Sequence, residues 1–190
     1  GVDLAKPHVF VGGFVGAMLI FLFSALAIRA VGRTSAEMIK EVRRQFREIP
    51  GLMQGSAKPD YSKCIDISTK SALRNMVSPS LLVVIAPVIV GLVLGSEAVG
   101  ALLMIGTVAG VLVALYMNNS GAALDNAKKF IEAGNLGGKG SAAHAAAVIG
   151  DTLGDPLKDT AGPSLHVVVK LLNTITLSMA PLFILYSLLG

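Results

Sequence analysis

Four charged side chains stand close together in the stretch GDTLGDPLKDT, residues 150–160. In a regular helix, Asp151, Asp155, Lys158 and Asp159 would lie within about 100° of one face. A long apolar run follows directly after this stretch. Charges at the end of a membrane helix are costly unless they have partners. The stretch therefore predicts an ionic site better than it predicts an ordinary solvated helix start.

A second acid and lysine pair precedes this stretch. Asp125 and Lys128 are three residues apart, which places them one turn apart on a helix. By itself such a pair is typical of a surface ion pair. With the first cluster nearby, however, the sequence predicts that two neighbouring helices bring their charges together.

Such a set of side chains suits a metal–phosphate ligand. Carboxylate oxygens bind hard cations such as Mg²⁺, and lysines neutralise phosphate oxygens. A further carboxylate that takes a proton from water would permit phosphoanhydride hydrolysis. The same spacing also allows an acidic cation site or a structural network of ion pairs.

Lys170 is an unusual residue because it lies inside the last apolar run. It follows Asp159 at a helical distance of about 16 Å and within about 20° of the same azimuth. We therefore predict that the two residues share a face and that an acid from another helix pairs with Lys170. The alternative is a lysine that extends to the membrane interface.

Composition indicates a membrane protein. Apolar residues make up 53% of the 190 residues, 21 residues are glycine and the mean hydropathy is +0.70, which suits membrane helices. The net charge of +4 does not indicate a nucleic-acid partner, because the cations lie between apolar runs and Trp is absent. The single cysteine, Cys64, excludes an internal disulfide.

Four apolar runs are long enough to cross a bilayer, at about residues 9–31, 77–94, 98–117 and 164–189. Nine of the sixteen cations lie from Arg33 to Arg74, and four more lie between the third and fourth runs. By the positive-inside rule, the loops at about 32–76 and 118–163 are cytoplasmic. The sequence thus predicts an all-α, polytopic membrane protein with its candidate chemistry on the cytoplasmic side.

The first loop carries helix signals of its own. Residues 34–37, TSAE, fit a capping box and predict that a separate amphipathic surface helix begins there, with a second short helix at about 61–75. The basic face of the first surface helix allows contact with anionic lipid, although the positive-inside rule is the favoured explanation of it. Within the first apolar run, Gly12 and Gly16 offer a face for close packing, a pattern that also arises by chance.

Several motifs closely resemble the C-terminal portion of the membrane-bound, ion-pumping inorganic pyrophosphatases. They are DNAKK at 125–129, GDTLGDPLKDT at 150–160, GPS at 162–164 and Lys170, with EVRRQF at 41–46, IPG at 49–51, PDY at 59–61 and ISTK at 67–70. The resemblance covers essentially the whole chain. It implies a homodimer in which each subunit has about sixteen membrane helices, and residues 1–190 resemble the last four helices of that single domain.

The resemblance also implies roles for individual residues. It implies that Asp159 orients and deprotonates the attacking water and that Lys170 belongs to the ion gate. The remaining residues divide into magnesium ligands and diphosphate contacts, namely Asp125, Asp151 and Asp155 for the metal and Lys128 and Lys158 for diphosphate. The implied cofactors are Mg²⁺ and, in potassium-dependent members, K⁺.

The implied function is hydrolysis of Mg-diphosphate at the cytoplasmic face, coupled to outward pumping of H⁺ or Na⁺ across a prokaryotic cytoplasmic membrane. The implied partners are diphosphate, membrane lipid, the earlier helices of the same subunit and a second subunit. Those earlier helices carry the rest of the site, so residues 1–190 alone are expected to be inactive. The alternative is a non-catalytic helical scaffold or transporter module whose charges form structural ion pairs.

Overall fold

A computed structural model describes residues 1–188 and contains no strand within that range. Its elements in chain order are α1 Pro7–Glu48, α2 Tyr61–Leu94, α3 Ser96–Glu132, a 3₁₀ turn Asn135–Gly137, α4 Ala142–Asp155, a π-helical turn Pro156–Ala161 and α5 Gly162–Leu185. Four helical units, with α4 to α5 counted as one, are long and apolar enough to cross a membrane. The predicted all-α, multi-pass membrane architecture is confirmed.

The predicted separation between membrane helices and surface helices is wrong. α1 continues without a break through Thr34, whose hydroxyl donates to the Ala30 carbonyl over 3.0 Å instead of capping a new helix. Similarly, α2 is continuous from Tyr61 into the membrane. A threonine inside a helix can bond to the carbonyl one turn earlier, so TSAE need not start a helix.

The two long helices contact each other beyond the apolar runs. The Thr34 and Ser71 hydroxyls lie 2.9 Å apart, and the Asn75 amide donates to both. Nearer the loop, the Gln45 amide accepts from the Asp60 backbone N–H over 2.8 Å. The Asp60 end of the loop between α1 and α2 is therefore held against α1.

α3 is the central helix and contacts α1, α2, α4 and α5. A Cβ added to Gly12 or Gly16 of α1 would overlap the backbone carbonyls of Ala98 or Leu102 on α3. The predicted close-packing face is thus confirmed. The core around α3 contains fully buried apolar side chains from all four membrane helices, including Ile20, Val83, Leu102 and Leu165.

The ends of the elements show how the chain crosses four times. α2 and α3 join through Gly95, whose φ of 90° favours glycine. At this end of the molecule, Lys6 and Glu97 form an ion pair of 2.6 Å, and the Leu188 N–H donates to the Leu92 carbonyl over 3.0 Å. Both loops predicted to be cytoplasmic therefore lie together at the opposite end. The predicted last residue of the fourth span, 189, lies outside the described residues.

Candidate active site

Two elements carry the charged residues, namely the end of α3 and the segment from α4 through the π-helical turn. They approach closely at two glycines, since a Cβ on Gly121 would lie 2.6 Å from the Gly154 carbonyl oxygen and 2.8 Å from the Lys158 Cβ. Gly154 is buried at the same contact. The absence of side chains at both positions lets the two backbones meet, which brings the two charged clusters within reach of each other.

Lys158 connects the two clusters. Its ammonium nitrogen lies 2.9 Å from an oxygen of Asp155, 2.9 Å from Asp159 and 3.5 Å from Asp125 on α3. The side chain of Lys158 is 19% exposed, whereas Asp155 and Asp159 are 49% and 64% exposed. One partly buried cation thus holds three carboxylates around it, two of which also face solvent.

Lys128 makes the second connection. Its ammonium group binds Asp151 on α4 and lies 3.9 Å from Asp125, one turn away on α3. Asp125 also accepts a hydrogen bond of 3.0 Å from Lys129. The predicted convergence of the two clusters is thus confirmed. Ion pairs join the six predicted residues, namely Asp125, Lys128, Asp151, Asp155, Lys158 and Asp159.

The hydrogen bonds within this network favour its charged forms. These groups lie beyond the apolar runs. Bonds to Asp159 and Asp155 raise the pKa of Lys158, and a bond to Asp151 raises the pKa of Lys128. A bond from Lys129 lowers the pKa of Asp125. The hydrogen bonds thus favour the charged forms of Lys128, Lys158 and Asp125.

Carboxylate oxygens suit a magnesium ion chemically. In this structure, the carboxylates of the network form ion pairs with lysines. Among residues 1–188, no group of three or more His, Cys, Asp or Glu side chains has the arrangement of a metal centre. One oxygen of Asp151, Oδ1, is nevertheless buried and has no hydrogen-bond partner. A buried carboxylate oxygen without a donor can take a cation or a water, so this oxygen is chemically compatible with Mg²⁺.

The π-helical turn changes the geometry that the regular helix predicted. The Gly162 N–H donates to the Leu157 carbonyl, five residues earlier, so azimuths calculated for a regular helix do not extend across this turn. The prediction that Asp159 and Lys170 share a helical face therefore no longer follows, because it assumed a regular helix between them. Lys170 is exposed, and no acid in residues 1–188 lies in ion-pair contact with it.

Sequence reasoning gave no role to Asn118. Its Oδ1 is buried without a hydrogen-bond partner and faces the Cα of Gly162, at the end of the π-helical turn. His144 lies 3.1 Å from Glu132 and links the end of α3 to the start of α4. The available sequence signal for Asn118 was its position, since it is a polar residue directly after the third apolar run.

Comparison with known proteins identifies the class. The family model described as inorganic H⁺ pyrophosphatase matches residues 1–179. A K(+)-insensitive pyrophosphate-energized proton pump of Caldanaerobacter subterraneus is 64% identical over 182 residues, covering 96% of this chain and 26% of the relative. Pyrophosphate-energized membrane proton pump 3 of Arabidopsis thaliana is 57% identical, covering 96% of this chain and 24% of the relative.

Sodium pumps occur among the relatives as well. A putative K(+)-stimulated pyrophosphate-energized sodium pump of Clostridium tetani is 54% identical over 186 residues, covering 98% of this chain and 28% of the relative. The helices and these relatives together define an integral, multi-pass membrane protein. This chain belongs to the inorganic H⁺ pyrophosphatase family. It spans about a quarter of the length of the relatives that it matches.

Proposed function

We propose that the full-length protein containing this chain hydrolyses Mg-diphosphate at the cytoplasmic face and pumps H⁺ or Na⁺ outward. The observation that carries the proposal is the position of Lys158, which joins Asp125 of α3 to Asp155 at the end of α4 and to Asp159 of the π-helical turn. An ammonium group at the junction of several carboxylates suits an anion that arrives with bound cations. The relatives are named as pyrophosphate-energized proton and sodium pumps.

In this proposal, each connected residue has one task. Lys128 and Lys158 bind phosphate oxygens, and the ion pairs that they now make are exchanged for contacts with diphosphate. Three acids hold magnesium, namely Asp125, Asp151 and Asp155. When bound, magnesium would neutralise charge on the phosphate oxygens and make a nearby water more acidic.

Asp159 is the proposed base. It is the most exposed acid in the network, and Lys158 contacts only one of its two oxygens, Oδ2. The other oxygen is free to accept a proton from a water whose oxygen attacks phosphorus. The bond from that phosphorus to the bridging oxygen then breaks, so that two phosphates result and Asp159 carries the proton.

The site lies at the end of the molecule that carries most of the cations. Thr160, next to Asp159, lines a pocket of about 240 Å³ together with Thr34 of α1 and Asn75 of α2. Because the adjoining segment of residues 33–74 is rich in Lys and Arg, the positive-inside rule supports a cytoplasmic site. Lys170, deeper along α5, is the proposed gate residue, with its acidic partner on an earlier helix.

Exposed apolar side chains on the membrane helices support the proposal that further protein segments pack against this chain. One exposed face of α1 carries aromatic residues, with Phe10, Phe14 and Phe21 each about 60% exposed. Earlier helices of the same subunit and a second subunit are the proposed neighbours of this chain. K⁺ is a proposed additional cofactor because the relatives include K(+)-insensitive and K(+)-stimulated pumps.

The test uses the full-length protein reconstituted in sealed vesicles. Phosphate release and ion uptake are measured with and without Mg²⁺, diphosphate, K⁺ and Na⁺, each varied separately. We expect phosphate release and uptake to require both Mg²⁺ and diphosphate, and the Na⁺ and K⁺ series to assign the pumped ion and the potassium requirement. Absence of Mg-dependent hydrolysis would favour the alternative, a helical scaffold with structural ion pairs.

A further inference from the structure

α1 and α2 form two separate grooves, a basic cleft and an apolar groove. The cleft has a volume of about 440 Å³ and is lined by residues that include Arg33, Glu37, Lys70 and Arg74. A second, apolar groove of about 460 Å³ lies between the same two helices and is lined by Leu22, Leu26, Leu81, Leu82, Ile85 and Ile89, among others.

Both grooves lie on one side of the helix pair. On α1, the lining residues 22, 26, 33 and 37 are separated by four, seven and four positions, and on α2, residues 70, 74, 81 and 85 repeat these intervals. Intervals of four and seven keep residues on one helical face. The basic cleft is therefore in line with the apolar groove along the axes of both helices.

The change from basic to apolar lining residues falls at the membrane boundary. Leu22 and Leu26 lie inside the first apolar run, and Arg33 follows its end by two residues. Arg74 comes three residues before the second apolar run, which contains Ile85. The cleft is thus at headgroup level, while the apolar groove is at the level of acyl chains.

The charges in the cleft favour an anion. Lys70 is paired with Asp66 over 2.9 Å. Arg33 and Arg74, by contrast, make no ion pair with any of residues 1–188 and oppose a single further acid, Glu37. Arginine binds phosphate oxygens through several donors. The buried Ser71 hydroxyl and the Asn75 amide add polar groups to the wall.

From these observations we propose that the cleft and the apolar groove together bind a phospholipid with an anionic headgroup. Arg33 and Arg74 contact the headgroup phosphate, and one acyl chain lies along Leu22, Leu81 and Ile85, which are 45%, 51% and 46% exposed. Basic pockets between membrane helices are known to recognise anionic lipid headgroups. The proposal requires only that the chain spans the membrane and is independent of the proposed hydrolysis.

The first experiment uses native mass spectrometry of the full-length protein with phosphatidylglycerol or phosphatidylcholine. We expect phosphatidylglycerol to be retained preferentially, and Arg33→Gln with Arg74→Gln to reduce its retention about tenfold or more. Glu37→Gln should increase retention, because it removes the opposing charge. Arg43→Gln with Arg47→Gln is the matched control, since these arginines line a separate pocket farther along α1 from the apolar run, and retention should be unchanged.

Equal losses in the control pair and the test pair would overturn the proposal, because binding would then depend on total charge. Displacement of the lipid by millimolar inorganic phosphate would also overturn it and indicate a site for free anions. A second experiment leaves the protein unaltered and uses phosphatidylglycerol with a photoreactive acyl chain. Labelling should concentrate at residues 22–26 and 81–89, and labelling elsewhere would show that another helix covers the groove.

Discussion

Lys158 is the residue on which the candidate site depends most directly. Three carboxylates approach its ammonium group, namely Asp159 from its own π-helical turn, Asp155 from the end of α4 and Asp125 from α3. Without a cation between them, these carboxylates would repel one another. The sequence placed Lys158 beside two of its partners, but only the fold brings it to Asp125.

Substitution of Asp159 by Asn tests the proposed base. The amide keeps the shape of the side chain but cannot accept a proton from water, so diphosphate hydrolysis by the full-length protein should fall by about 10²–10⁴-fold. Phosphate release and the yield of folded protein are measured together. Asp66→Asn is the control, because Asp66 is also an exposed acid paired with a lysine but lies outside the network. Normal hydrolysis by the Asp159 variant would contradict its role.

We predict that Glu41 makes a contribution to the stability of the folded protein that is lost at low pH. It is buried on the part of α1 beyond the apolar run. Hydrogen bonds from Arg44 and Gln45 lower its pKa from 4.5 to about 2. Since the folded state binds the proton less tightly, this contribution is present above pH 4.5 and is lost as the pH falls towards 2.

Thermal unfolding of the detergent-solubilised protein checks this prediction. Glu41→Gln should lower the melting temperature near pH 6 and should flatten its dependence on pH between about 4.5 and 2. Glu37→Gln is a matched control, because Glu37 is exposed on the same helix and lies in no ion pair with residues 1–188. An unchanged pH profile in the Glu41 variant would show that its hydrogen bonds do not contribute.

At the scale of elements, the crossing of α3 with α4 decides whether the charges meet. The two backbones contact each other at Gly121 and Gly154. The π-helical turn then widens the backbone immediately before α5, where Pro163 has no N–H to offer. Helix packing and an irregular turn together bring Asp155, Lys158 and Asp159 close to one another.

Gly121→Ala should separate these elements. The new methyl group would press against the Gly154 carbonyl and Lys158, and a displacement of about 1 Å in a catalytic group can cost about 100-fold in rate. We expect a large loss of diphosphate hydrolysis, with a destabilisation of about 1–3 kcal/mol. Phosphate release and thermal unfolding measure the two effects separately.

The matched control is Gly32→Ala. Gly32 also lies inside a helix, α1, but a Cβ there would meet no atom within 4 Å. Alanine should therefore leave hydrolysis unchanged and stabilise the helix by about 0.5–1 kcal/mol. If both alanine variants hydrolysed diphosphate normally, close packing at Gly121 would not be required for the site.

At the scale of the whole molecule, the chain crosses the membrane four times and places its charged site at one end. The ion pair between Lys6 and Glu97 marks the opposite end. Site, cleft and both loops share the end that is rich in cations, which supports a cytoplasmic orientation. The fold thereby separates the proposed chemistry from the face towards which ions would leave.

Labelling of single cysteines tests this orientation. In a cysteine-free variant of the full-length protein that includes Cys64→Ser, Lys139→Cys should react with an impermeant maleimide only from the cytoplasmic side, and Asp3→Cys only from the other side. Both positions are exposed and lie at opposite ends. Reaction of both cysteines from one side would contradict the topology, and reaction of Lys139→Cys from outside only would reverse the orientation.

The sequence alone determined the class, the approximate crossings and the candidate residues, because the length of apolar runs and the spacing of charges are local properties. It did not determine that α1 and α2 extend beyond the membrane as single helices, since Thr34 had a choice of hydrogen-bond partners. Only the tertiary structure joined Lys158 to Asp125. That ion pair depends on how closely α3 and α4 pack at Gly121, which no local pattern specifies.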